Sequence, residues 1–367
     1  MALTQVDQGL LSSTAQYTGF KNRLINSAMV IDQRNAGASV TPTSSSYTLD
    51  RWYTILTQSS KFSVRQNAGS VANGGSVVAP AGFTNWIGVT SLAATSLAAG
   101  DYFLLTQSIE GFNTADFGFG TANASTVTLS FWVRSSLTGT FGGSLVNSGF
   151  SRSYPFTYTI SAANTWEQKT VTIAGDTTGT WIGATNGIGL RVQFGLGVGS
   201  TYSGTAGSWA ATEYDSATGA TSVVGTNGAT FYITGIQLEK GSTATSFDYR
   251  PIGTELQLAQ RYCYVIPASS YYNFVAQAYT TTRAQGYLLF PVTMRSAPTL
   301  TNPTLTGATT YAANGAALNI TALVTVGGNS VNGAFFDITV ASGLTAGSAS
   351  LVYQAPTGGV TVLSAEL

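Results

Sequence analysis

Apolar and polar residues alternate over short stretches of this chain, and long runs at helical spacing are missing. In TVTLSFWVR, Val127, Leu129, Phe131 and Val133 share one face, while Thr128, Ser130, Trp132 and Arg134 share the other. LRVQFGL sets Leu190, Val192, Phe194 and Leu196 on one side, and FFDITV does the same with Phe336, Ile338 and Val340. A two-residue period is what a half-buried antiparallel strand requires, because successive side chains point to opposite faces of the sheet. Five Asn-Gly pairs begin at Asn73, Asn186, Asn227, Asn314 and Asn332. Such pairs suit the positive φ angles of tight turns and predict hairpins. Many short strands punctuated in this way predict β-sandwiches.

One segment changes phase. In FYITGIQLEKG, Phe231 and Ile233 share one phase and Ile236 and Leu238 the other, with the switch at Thr234-Gly235. A bulge at the glycine would keep both pairs inward and bend the sheet. One helix is predicted near residue 254, where Thr254 and Gln257 fit a capping box. Within TELQLAQRY, Leu258 and Tyr262 fall on one face. The resulting organisation is an extended N-terminal arm (1–24), a β-domain (25–250), a helical connector (251–266) and a smaller C-terminal β-domain (267–367) punctuated by Pro291, Pro298 and Pro303. The fold class is all-β, with a β-sandwich, a short helix and a second, smaller β-sandwich-like domain.

Charge alters the picture by its scarcity. Only 8% of the 367 residues are charged, and 15 Lys and Arg balance 15 Asp and Glu. Without a basic face the chain is not expected to bind nucleic acid or an anionic membrane. From Tyr264 onward only Arg283, Arg295, Asp337 and Glu366 are charged. So neutral a surface risks association, and its Ser, Thr, Asn and Gly residues suit neutral polar ligands or subunit contacts. Cys263 stands alone, which excludes an intrachain disulfide. MALTQVDQGL has neither the basic start nor the apolar run of a signal peptide, and no run of about 18 apolar residues occurs. Synthesis in a cytoplasm without membrane insertion is the expectation.

The chain has no histidine. That excludes Ser-His-Asp and Cys-His catalysis and histidine-ligated metals, and a single cysteine excludes thiolate zinc. No phosphate-cradling or dinucleotide loop is present, since GVGSTYSG lacks the strand-to-helix context. No catalytic residue, metal or cofactor is therefore expected. Paired carboxylates are the remaining catalytic option, with Glu110, Asp116, Glu213 and Asp215 as candidates. Glu213 and Asp215 would share a face on a strand, although a surface loop is the preferred reading of ATEYDSATG. The aromatics carry more weight, with 6 Trp, 18 Tyr and 18 Phe. Sugar rings stack their C–H faces on Trp and Tyr while their hydroxyls pair with Asn, Gln, Ser and Thr. Trp52, Trp132 and Trp166 lie in or beside strands and read as structural. Trp86, Trp181, Tyr202 and Trp209 lie in Gly-, Asn- and Ser-rich surroundings and are the candidate ligand-binding residues. Tyr271, Tyr272 and Tyr279, near Phe274, open the second β-domain and are candidates there.

Five segments carry a resemblance: NRLINSAMVIDQRNAG (22–37), LDRW (49–52), LSFWVR (129–134), NTWEQKTVTI (164–173) and ITGIQLEKGSTATSFDYRPIGTELQLAQRYC (233–263). In order and spacing they resemble tail fibre and minor virion proteins of tailed bacteriophages that contain a carbohydrate-binding-module-like jelly roll. The resemblance spans about residues 1–300 and implies that the first β-sandwich is a jelly roll. Ile236 and Leu238 would then form its last strand beside Leu24 and Ile25, with Asp50-Arg51 and Asp248-Arg250 as charge pairs where the chain enters and leaves. It further implies a homotrimer, virion attachment through the N-terminal arm, and a non-enzymatic tail fibre or receptor-binding protein that attaches to host surface polysaccharide. A head fibre, collar or capsid decoration protein is the structural alternative, and a glycan depolymerase the catalytic one.

Overall fold

The computed structural model describes residues 20–266, 272–301, 308–312, 315–327, 329–354 and 361–367. The expected arm lies outside these as far as residue 19. The chain divides into two compact units, one running to Ile252 with Leu367, the other spanning Gly253–Glu366.

The first unit is a jelly-roll β-sandwich. Its strands are β1 (Ser46–Leu49), β2 (Trp52–Leu56), β3 (Phe62–Gln66), β4 (Ile87–Ser91), β5 (Tyr102–Glu110), β6 (Val127–Ser135), β7 (Gly139–Val146), β8 (Ser153–Ile160), β9 (Glu167–Ile173), β10 (Ile188–Val198), β11 (Ser203–Gly204), β12 (Ser216–Ala217) and β13 (Thr230–Lys240). One sheet has the order β1-β2-β5-β10-β7-β8, the other β3-β4-β13-β6-β9, and β11 and β12 form a separate pair. The alternation seen in the sequence is the sandwich interior. Val127, Leu129, Phe131 and Val133 of β6 and Leu190, Val192, Phe194 and Leu196 of β10 are all 0% exposed. Phe131 meets Phe194 at 5.1 Å and Tyr158 at 4.9 Å, edge to face, so aromatic rings interlock the two sheets.

The Asn-Gly expectation holds only in part. Asn73-Gly74 closes a single 3-10 turn with Gly74 at φ 79°. Asn186-Gly187 lies in a crossover between sheets, and Asn227-Gly228 in a loop before β13. The tight two-residue turn of this domain is Asp50-Arg51, where Leu49 pairs with Trp52 and Arg51 adopts φ 69°. Sandwich connections that pass from one sheet to the other need a wider path than a hairpin supplies.

β13 carries the bulge at the expected place. Its pairing with β6 shifts between Thr234 and Gln237, and Gly235 sits at φ 59°. Phe231, Ile233, Ile236 and Leu238 are all 0% exposed. A Cβ at Gly235 would lie 2.4 Å from Phe83 Cζ. Gly235→Ala is expected to destabilise the domain by about 1–2 kcal/mol, through left-handed backbone strain and the crowding of Phe83. Urea denaturation checks this, and an unchanged midpoint would refute it.

Beyond the bulge, β13 is flanked by residues 22–27. The Arg23 amide donates to the Leu238 carbonyl (3.0 Å), and the Ile236 amide to the Ser27 carbonyl (3.2 Å). Asn22 fills the gap, its Nδ2 donating to the Ile236 carbonyl (2.9 Å) and its Oδ1 accepting from the Leu238 amide (3.1 Å). Asp248 accepts from the Lys21 and Asn22 amides at 2.8 and 3.2 Å. Arg250 donates to the Leu24 and Asn22 carbonyls. The segment is a clasp, and its charges hold backbone groups instead of simply pairing with one another.

The second unit is smaller and all-β. Helix α1 (Ile252–Gln260) precedes β14 (Cys263–Ile266), β15 (Tyr272–Ala278), β16 (Arg283–Leu289), β17 (Thr299–Thr301), β18 (Ala308–Tyr311), β19 (Ala317–Thr325), β20 (Gly333–Val340), β21 (Ala349–Gln354) and β22 (Thr361–Ser364). Strands β15-β16-β20-β19-β18-β21 close a barrel, and β14-β22-β17 form a separate sheet. Phe336, Ile338 and Phe274 fill the core, with the two phenyl rings stacked at 5.3 Å. α1 starts ahead of Thr254 and buries Glu255 and Ala259, while Leu258 stays half-buried; Tyr262, just beyond it, is fully buried as expected. Cys263 is buried in β14. Asn332-Gly333 does serve a hairpin here, between β19 and β20, and Asn314 lies outside the described residues.

Candidate functional site

Strand pairing brings three loops to one end of the sandwich. Glu110 at the end of β5 pairs with Ile188 at the start of β10, and Ile173 at the end of β9 pairs with Val127 at the start of β6. Both crossovers, residues 111–126 and 174–187, therefore emerge at the same end. A third segment, residues 205–215, follows β8 toward it. The Gly207 amide donates to the Pro155 carbonyl (2.9 Å), and Ala210 bridges Ser153.

Each segment delivers aromatic rings. Phe119 comes from the first, Trp181 from the second and Trp209 from the third, and Tyr154 begins β8. Trp181 and Trp209 stand 5.3 Å apart at 84°, and Phe119 lies 5.0 Å from Trp181 and 5.6 Å from Trp209. Tyr154 meets Trp209 at 5.2 Å. These edge-to-face contacts set positive ring edges against negative ring faces and fix the rings relative to one another. Phe119, Trp181 and Trp209 are half-buried against the core, so part of each ring remains in solvent.

A buried ion pair anchors the cluster. Asp176, 2% exposed, accepts from Arg152 Nε and Nη2, both at 2.7 Å, and from Trp181 Nε1 at 3.1 Å. Burial opposes ionisation of Asp176, but the Arg152, Thr178 and Trp181 hydrogen bonds outweigh it and hold the carboxyl below its usual range. Trp209 Nε1 donates to the Ala174 carbonyl (2.8 Å). Both indole N–H groups are thus occupied by protein, and the rings present apolar surface.

The strap that delivers Trp209 is seated on the outer face of the sheet. A Cβ at Gly142 or at Gly195 would lie 2.3 or 2.8 Å from Ser216 Oγ, so two glycines make room for the strap. Asp215 beside it is 2% exposed, and its Oδ1 has no hydrogen-bond partner. Burial first, and then Glu213, push its pKa up to about 7, with Arg191 and Gln193 working the other way. The surface-loop reading fails for Asp215 because the strap folds back onto the sheet. Glu213 and Asp215 lie outside a strand and form no shared strand face. Glu110 is 1% exposed, and Asp116 is held by Arg23 at 2.8 Å.

Of the expected ligand-binding residues, Trp181 and Trp209 come together. Trp86 is instead 3% exposed, its Nε1 donates to the Ala68 carbonyl (3.0 Å), and Trp166 packs against it at 6.1 Å. Val77 and Ala79 pack against the same cluster. Tyr202 packs on Tyr102 at 5.0 Å, at the far end of β10 from Trp181, where Val198 pairs with Tyr102. Tyr279 is 42% exposed in the second unit, and its hydroxyl donates to Asp337 (3.1 Å). Tyr271 lies outside the described residues, and Tyr272 opens β15. Trp52 is structural, 0% exposed with Nε1 donating to the Asn26 carbonyl. Phe119 and Tyr154 were not anticipated. The FGFG run (117–120), a pair of phenylalanines spaced by glycines outside any alternating pattern, was the available signal. Among the described residues, no group of three or more Asp, Glu or Cys forms a metal-binding cluster.

No family model matches the chain, and no curated protein matches it. Among solved structures it is similar to a putative sugar binding protein from Bacteroides thetaiotaomicron VPI-5482, at 9% identity and TM-score 0.35 over 60% of this chain and 100% of that one. It is also similar to TmCBM61 in complex with β-1,4-galactotriose, at 10% identity and TM-score 0.29 over 60% of this chain and 99% of that one. The enzymatically active domain of tailspike protein 4 of bacteriophage CBA120 aligns at 10% identity and TM-score 0.29, over 52% of this chain and 19% of that one. The chain thus spans about a fifth of that tailspike chain's own length. Likenesses this distant carry no inference about the ligand of this chain.

Proposed function

We propose that this chain is a non-catalytic glycan-binding component of a tailed-phage virion, a tail fibre or receptor-binding protein. The observation that carries the glycan reading is the cluster of Trp181, Trp209 and Phe119, three half-buried rings from three loops meeting at one end of a sandwich. Locked aromatic rings with occupied N–H groups suit the C–H faces of pyranose rings and lose little conformational freedom on binding. The virion reading rests on the sequence resemblance, as do trimerisation and attachment through residues 1–24. Several copies on one particle would turn weak single contacts into firm adsorption.

Labelled full-length protein should bind host cells, purified host surface polysaccharide should compete for that binding, and incubation with the polysaccharide should release no reducing ends. Absence of cell binding, with the protein located on the capsid or neck, would favour a decoration role. Release of reducing ends would favour a depolymerase.

A further inference from the structure

A pocket of about 410 Å³ lies beside the aromatic cluster, between residues 20–23, the start of β6 and the turn after β13. We propose that it holds an anionic sugar unit, a uronic acid or similar carboxylate-bearing pyranose, within the glycan whose neutral units rest on the aromatic rings. The inference rests on the glycan-binding reading above and specifies its ligand class.

Lys21, Arg23 and Lys240 bring three cationic side chains to the wall. The three nearby carboxylates are engaged elsewhere, and one of them, Asp248, accepts from the Lys21 and Asn22 backbone amides at 2.8 and 3.2 Å. Glu239 is 3% exposed and accepts from the Thr245 amide (2.8 Å), Thr245 Oγ1 (2.7 Å) and Gln237 Nε2 (2.9 Å). Asp116 is bound by Arg23 at 2.8 Å, with Lys240 Nζ 3.9 Å from the same oxygen. The Lys21 ammonium has no carboxylate partner among the described residues, so one positive charge is left for an incoming anion. The side-chain hydroxyls of Ser125, Thr126, Ser242 and Thr243 also line the pocket, and none hydrogen-bonds to the protein among the described residues. Free hydroxyls around an unpaired ammonium match a sugar acid, which presents both hydroxyls and a carboxylate. At the mouth stands Phe20, 58% exposed, with the Arg250 guanidinium 5.1 Å from its ring centre.

Pocket and cluster are linked through packed side chains, of which Phe117 is 1% exposed. The Arg23 guanidinium lies 5.2 Å from the centre of the Phe117 ring, Phe117 lies 5.6 Å from Phe119, and Phe119 lies 5.0 Å from Trp181. In this proposal an oligosaccharide long enough to pass the edge of the 111–126 crossover rests neutral units on the rings and places an acidic unit beside Lys21.

The test is calorimetric titration of the full chain with α-1,4-trigalacturonate and with its carboxyl-reduced trigalactose counterpart. The acidic trimer should bind more tightly, and about 0.5 M NaCl should erase the difference by screening. Lys21→Glu should weaken the acidic trimer by about tenfold while leaving the neutral one and the melting temperature unchanged. The clasp uses the Lys21 backbone amide, which this variant retains, and Lys21→Gln, which removes the charge without adding a carboxylate beside Asp248, should show the same direction of change. Equal binding of the two trimers, or an unaltered acidic affinity in Lys21→Glu, would overturn the pocket assignment. Competition by inorganic sulfate as strong as by free glucuronate would also overturn it, in favour of a simple anion site. If host polysaccharide binds in a Trp181-dependent manner while the acidic preference is absent, the pocket assignment fails and the glycan reading stands. If no saccharide binds, both fail.

Discussion

Asp215→Asn is expected to stabilise the first domain at about pH 8 and to leave it nearly unchanged at about pH 4, where the native carboxyl is already protonated. The expectation follows from where the side chain sits. Asp215 is 2% exposed at the end of the strap, its Oδ1 lacks a partner, and Gln193 beside it is 0% exposed. Burial first, and Glu213 second, push the pKa from 3.8 up to about 7. The folded state therefore holds a proton that the unfolded chain has already lost, between about pH 4 and pH 7. Stability falls as pH rises through that window and levels off above it. A shift of about three units corresponds to about 4 kcal/mol. Asparagine carries no charge at any pH, so it removes this slope. Differential scanning calorimetry across the window reads the effect, at about 2–4 °C per kcal/mol for a domain of this size. A variant that retained the wild-type slope would show that another group titrates there. Glu213 is the one to replace next, because burial raises its pKa too, against the pull of Arg191.

Asp215 also marks the boundary of what the sequence disclosed. Alternation exposed the strands because each inward residue is a local consequence of the pleat. The phase change at Thr234-Gly235 exposed the bulge for the same reason, since Ile233 and Ile236 must both face the core. The clasp became legible through Asp248 and Arg250, charges placed where a neutral chain otherwise has few. The fate of Trp86 against that of Trp181 was not legible. Both sit among small polar residues, yet one loop folds back so that Trp86 donates to Ala68, and the other stops at the sandwich end with Trp181 tied to Asp176. That difference is set by long-range strand order: β9 and β10 lie in different sheets, and the crossover between them must round the end of the core. Composition around a tryptophan carries no record of such a route. The burial of Asp215 has the same origin, because its neighbour Ser216 is seated against Gly142 of β7 and Gly195 of β10, residues brought there by strand order.

Trp181→Ala is expected to weaken polysaccharide binding by about a hundredfold, within the range for truncating a central aromatic anchor. The ring contributes in two ways. It supplies apolar surface, and it holds Phe119 and Trp209 in place at 5.0 and 5.3 Å. Trp209→Ala should weaken binding comparably, and the double variant should lose less than the two single losses combined, because rings in contact do not act independently. Trp181→Phe separates the two contributions: it keeps an aromatic face but gives up the Nε1 donation to Asp176, so an intermediate loss is expected. Trp86→Phe supplies the contrast, costing stability in the buried Ala68–Trp86–Tyr232 cluster while leaving affinity alone. Titration calorimetry on the five variants, with melting temperatures measured alongside, distinguishes a ligand surface from a packing role. If Trp181→Ala and Trp209→Ala bound as the wild type does, the aromatic rings at this end of the sandwich would be structural, and the glycan reading would lose the observation that carries it.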